Sequence, residues 1–195
     1  GHAGRVARIA TDKSLDSALR IEAVESITNW VEPPLLDRVD GRRRELGIRD
    51  EQSIARAVGP ALNELLSSKD GKLLETVVAA ASRLNVELKP DAMLALLKNQ
   101  QASSQLRMLA LKNLNTKTAI DYALKSDLDD LRVTAAGMLV GRDPVQATRI
   151  LGEQLVSYGS IQQAQSALAS LAQIESPEAD KLIENFAKGE FSAGL

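Results

Sequence analysis

Leu106-Arg107-Met108-Leu109-Ala110-Leu111-Lys112-Asn113-Leu114 is the stretch that decides the fold. Leu106, Ala110 and Leu114 stand four apart and so share one helix face. The small Ala in the middle permits a close helix approach and the larger residues fill the volume around it. The pattern returns along the chain. Leu19-Arg20…Ala23…Ile27 and Leu131-Arg132…Ala135…Leu139 repeat it in full, and Ala80…Leu84 and Ala167…Leu171 in part. Each copy suits the inner helix of a two-helix unit, and units of this kind shelter their apolar faces only against one another. The sequence therefore predicts an all-α stack of about five helical hairpins over residues 1–195, as a single domain.

The marker alanines at 23, 80, 110, 135 and 167 are separated by 57, 30, 25 and 32 residues. Three intervals fit a hairpin of variable length, and the first is too long, which predicts an insertion after the first hairpin, over residues 30–50. Capping chemistry announces the outer helices. Asp143-Pro144-Val145-Gln146 offers an N-cap carboxylate, a Pro at the first helical position and a Gln able to bond back, just after Gly141 closes the preceding helix. Ser176-Pro177-Glu178 and Lys89-Pro90-Asp91 repeat the device, Thr116 caps a shorter helix, and Asp50 caps one that Gly59-Pro60 is expected to kink or break. Met93, Met108 and Met138 fall in the apolar stripes as core filler.

Composition narrows the chemistry. Of 195 residues 44% are apolar and 26% charged, which places the chain among globular proteins, and only 3% are aromatic, which disfavours strands. Basic and acidic residues number 24 and 26, so the net positive charge of a dedicated nucleic-acid module is missing. With no cysteine, disulfides, thiolate metal sites and thiol nucleophiles are impossible in these residues. No apolar run approaches the roughly 18 to 20 residues of a membrane span, so no membrane insertion is expected. Neither end supplies a polar capping repeat, and the expectation is a piece of a longer array.

Paired helices with Leu-Arg-x-x-Ala-x-x-x-Leu on the second member resemble HEAT repeats over nearly the whole chain. The resemblance implies a right-handed α-α superhelix of the HEAT/armadillo-like kind. Arg20-Ile-Glu-Ala-Val-Glu-Ser-Ile27, then Trp30, Pro33-Pro34, Asp37-Arg38-Val39, Gly41 and Arg42-Arg43-Arg44-Glu45-Leu46, is similar to the HEAT region of large bacterial multidomain proteins. There the array lies between a propeller resembling quinone-dependent sugar or sorbosone dehydrogenases and a cytochrome c-like haem domain. The chain matches only the helical region and contains no Cys-x-x-Cys-His. The resemblance thus implies a non-catalytic spacer in an exported or periplasmic redox protein, with neighbouring domains or another protein as partner and no cofactor of its own.

The insertion supplies the candidate interaction residues Trp30, Arg38, Arg42, Arg43 and Arg44. Trp and Arg are favoured interface anchors, so one reading is an exposed loop that presents them to a partner. The plainer reading, which is preferred, has Trp30 plugging the side of the stack while Asp37 or Asp40 pairs with an arginine to pin the loop. Arg20, Arg107 and Arg132 share one repeat position, either as a basic ladder or, more commonly for such residues, bonded to backbone carbonyls or neighbouring acids.

No catalytic or metal site is predicted. His2 is the sole histidine, which rules out His-Glu di-iron pairs, His/Cys zinc sites and a Ser-His-Asp arrangement within these residues. Glycines stand at turns without a phosphate loop, and Tyr122, Tyr158, Phe186 and Phe191 are apart from basic clusters, which disfavours a base-stacking platform. Three functions remain: a non-catalytic scaffold, a free-standing peptide- or protein-binding adaptor, and a DNA-binding helical-repeat enzyme of the glycosylase-like kind. The third needs a continuous basic trough with a catalytic acid.

Overall fold

The computed structural model describes residues 2–37, 40–43, 47–157 and 160–189. Within them are eleven helices and no strand, so the protein is all-helical. Contacts divide the chain into two compact units, residues 1–113 and 114–195.

In the first unit, α1 (His2–Thr11) packs on α2 (Ser17–Thr28) and on α3 (Glu51–Leu65), while α2 and α3 both pack on α4 (Gly71–Arg83). α5 (Pro90–Lys98) and α6 (Ser104–Leu114) follow. The second unit contains α7 (Lys117–Ala123), α8 (Asp129–Leu139), α9 (Pro144–Val156), α10 (Ile161–Leu171) and α11 (Pro177–Ala187). Here α8 meets α7, α9 and α10, and α9 and α10 both meet α11. In both units these pairs join a helix either to its chain neighbour or to the helix two further along. Such pairing is compatible with a helical repeat.

All five marker alanines lie on the even-numbered helices and all are buried; Ala80, Ala110, Ala135 and Ala167 are 0% exposed. Ile27, Leu84, Leu106, Leu131, Leu139 and Leu171 are buried beside them, Leu114 is half-buried, and Met93 is sealed in the core. Leu19 departs from the expectation that it lines up inside: it is 51% exposed, because α1 and α4, the partners of α2, leave that side of its first turn uncovered.

The capping residues account for where the helices start. Asp50 accepts from Ser53 N (2.8 Å), Thr116 from Ala119 N (3.3 Å), Asp143 from Gln146 N (3.0 Å) and Ser176 from Ala179 N (3.2 Å). Lys89 does not repeat the device, since its side chain makes no capping bond; its N–H instead donates to Asn63 Oδ1 (2.9 Å). Asn63 also donates to Gly59 O and Glu87 O, so one amide on α3 pins the link from α4 to α5. Nor does Gly141 close α8. The cap there is Val140, and Arg142 N and Asp143 N both turn back to Leu139 O. The left-handed exits belong to Asn85 after α4 (φ 49°), Asn115 after α6 (φ 44°) and Gly189 after α11 (φ 74°). Asn tolerates that region better than other side chains do.

Gly59-Pro60 does not break α3, which runs unbroken from Glu51 to Leu65. Pro60 and Arg56 are both exposed, so the carbonyl that loses its donor sits on the water side of the helix, where solvent can satisfy it.

Candidate functional site

The long first interval is a loop between α2 and α3, where the insertion was expected. Its base is closed by one residue. Arg49 N donates to Val31 O (3.0 Å), its Nη1 donates to Trp30 O (2.8 Å), and its guanidinium carbon lies 5.2 Å from the centroid of the Trp30 ring. That distance is within cation–π range, so Trp30, half-buried, is held by Arg49 from the far end of the loop. Farther out, Asp37 N donates to Arg42 O (2.9 Å) and Gly41, at φ 67°, donates to Asp37 O (3.0 Å). Leu36 and Arg43 form an isolated antiparallel bridge across this turn. Asp40 Oδ1 accepts from Arg42 N (3.0 Å), and its Oδ2 stands 3.9 Å from Arg42 Nε.

Of the predicted interaction residues, Arg42 and Arg43 stand exposed on the turn and Trp30 at the loop's base. Arg38 and Arg44 lie outside the described residues, as do Tyr158 and Phe191. Asp40 with Arg42 forms the acid–arginine pair expected of a pinned loop. Arg49 was missed by sequence reasoning, although an Arg placed just before the Asp50 cap returns the chain to the helix layer and is a natural partner for the Trp at the other end. Leu35, Leu36 and Ile48 are exposed on the same loop.

The arginine series resolves clearly. Arg20 Nε donates to Ala10 O (2.9 Å), in the last turn of α1. Arg107 Nε donates to Leu97 O (3.0 Å), in the last turn of α5. Arg132 Nη1 donates to Ser126 O (2.6 Å), just past α7, while its Nη2 pairs with Asp129. Each thus supplies a donor near the C-terminus of the helix before it, where carbonyls lack intrahelical partners and cations are favoured. Arg107 is only 6% exposed.

A second polar series joins the starts of the even helices. Ser17, opening α2, donates to the Asp70 cap of α4; Ser103, before α6, donates to Glu75 of α4; and Gln163 of α10 donates to Asp130 of α8 (2.9 Å). The Ser17 hydroxyl, with the Leu73 N–H next in weight, holds the Asp70 carboxyl below its ordinary 3.8. Among the described residues no three His, Cys, Asp or Glu are grouped so as to hold a metal ion, and no helix is long and apolar enough to cross a membrane.

A concavity lies in the second unit, between α9 and α11. It has a volume of about 960 Å³ and is walled by Val145, Gly152 and Val156 of α9, by Ile174, and by Leu182 of α11. Val145 and Val156 are 81% and 59% exposed. A Cβ on Gly152 would come within 3.0 Å of Leu182 Cδ1, so the glycine permits α11 its close approach. Arg149, paired with Glu153 at 2.5 Å, and the exposed Glu175 and Glu178 rim the opening. Sequence reasoning did not identify this groove. Gly152 inside a helical pattern was the one legible signal of a tight contact.

No protein-family model matches the chain, and no curated protein matches it.

Proposed function

We propose that this chain is a non-catalytic HEAT-like scaffold, a right-handed superhelix of about five hairpins forming one array from 1 to 195. It mediates protein–protein or interdomain contacts within a larger, redox-active bacterial protein. The observation that carries the reading is the use of one repeat position. Arg20, Arg107 and Arg132 stand three residues before a buried marker Ala, and each bonds a carbonyl in the last turn of the preceding helix or just past it. Recurrent packing and recurrent polar ties support reading the chain as a frame. The larger context, with a dehydrogenase-like propeller and a haem domain on either side, rests on the resemblance of residues 20–46. The same three arginines count against the DNA-binding alternative, because each is tied to a carbonyl and Arg107 is only 6% exposed, which does not suit a basic ladder.

A free-standing adaptor is the second reading, favoured by the groove of the second unit. Two observations test the proposal. Purified protein should carry no haem, flavin or quinone absorbance, and a stoichiometric chromophore would overturn the non-catalytic assignment. The reading frame should continue on at least one side into a dehydrogenase-like or haem-binding domain. A frame that closes directly on both sides sinks the larger-protein clause and leaves the adaptor.

A further inference from the structure

We propose that the groove between α9 and α11 receives an amphipathic helix from a partner protein, apolar on the inserted side and carrying Lys or Arg along its edges. The inference rests on the scaffold reading and names the class of partner.

The floor sets the apolar side. Val145 and Val156 lie eleven residues apart on α9, about 16 Å along its axis. They face the same opening as Ile174 and Leu182. That span matches about three turns of a guest helix, and its anchors would recur at three- and four-residue spacing. A helix satisfies its own backbone, whereas an extended peptide must pair its N–H and C=O groups with a sheet edge or with side-chain amides; the described residues contain no strand, and Gln173 is the one amide side chain in this lining.

The rim sets the charge. Arg149 is committed to Glu153, and Glu175 and Glu178 have no ion pair among the described residues, so three carboxylates stand against one guanidinium. Such an edge favours a basic guest and disfavours the anionic headgroups of a membrane surface.

The test uses the whole chain and two synthetic peptides of roughly 18 residues, long enough to sample helix in water. Both carry Leu at helical spacing; one is flanked by Lys and the other by Glu. Fluorescence anisotropy should show saturable binding of the Lys peptide alone. Val145→Asp and Val156→Lys should each weaken it about tenfold, the worth of one buried Val side chain. Glu175→Lys with Glu178→Lys should reverse the preference between peptides, and Leu36→Asp in the 29–50 loop should change nothing. All substituted positions lie on the surface, and far-ultraviolet circular dichroism verifies the fold of each variant. Absent binding, equal binding of both peptides, or indifference to the groove variants overturns the proposal. So does a concentration-dependent dimer abolished by Val145→Asp, which would assign the groove to a second copy. Failure here leaves the chromophore and reading-frame tests of the scaffold standing, and their failure leaves the peptide result standing.

Discussion

Arg107 shows how one side chain can belong to two helices. It sits in α6, is nearly sealed from water, and places its Nε 3.0 Å from the carbonyl of Leu97, itself fully buried at the end of α5. Arg107→Leu would leave that carbonyl without its donor, and a buried acceptor so orphaned costs about 1 to 3 kcal/mol. Lys should not rescue it, because an ammonium on a flexible stem lacks the fixed fork of the guanidinium. Arg20→Leu should cost less, since its bond to Ala10 is only part-buried and water can replace it. Urea denaturation of the three variants measures the order, and equal losses at 20 and 107 would show that burial does not set the value. The repeat position of these arginines was legible from Leu-Arg-x-x-Ala alone. That they bond carbonyls or nearby acids was also expected; which carbonyl accepts was not legible, because its availability depends on where the previous helix stops.

At the scale of the element, helix starts were far more legible than helix ends. Asp50, Thr116, Asp143 and Ser176 carry their capping oxygen in the side chain, and the structure uses all four. Ends depend on backbone angles that several residue types can adopt, so Asn85 and Asn115 take the left-handed exits while Gly141 does not. Asp70 combines a cap with a tie between helices: it accepts from Lys72 N and Leu73 N of α4 and from the Ser17 hydroxyl of α2. Asp70→Ala should cost about 1 kcal/mol at neutral pH, as cap removal commonly does, and Ser17→Ala less, because the two backbone bonds survive. The pH dependence has a definite sign. The folded-state carboxyl lies below the ordinary 3.8, so its contribution is present above that value and is lost as pH falls through the lowered one. Wild type and Asp70→Ala should therefore converge in acid, and a gap that stays constant below pH 3.8 would contradict the assignment. Pro60 offers the opposite case. It stands inside α3 on the exposed side, so Pro60→Ala restores a helical donor and should raise stability by about 1 to 3 kcal/mol. No gain in thermal midpoint would mean that the helix has already adapted fully to its proline.

For the whole molecule, the governing question is how far a local fault spreads. In the stack of hairpins proposed above, each hairpin would touch only its neighbours, so stability would be close to a sum of local terms and nearest-neighbour interfaces. Ala110 and Ala135 have no exposed surface, and Leu at either position adds bulk to a filled site, at a cost of about 1 to 3 kcal/mol. The fault at 135 arises in α8, whose packing partners are α7, α9 and α10, all within the second unit. Native-state hydrogen exchange of Ala135→Leu should accelerate in those four helices and leave α1 to α4 at their wild-type rates, because the first unit has its own internal contacts. Exchange that quickens equally along the entire chain would show a single cooperative core, and the additive, repeat-by-repeat account of this protein would then have to be abandoned.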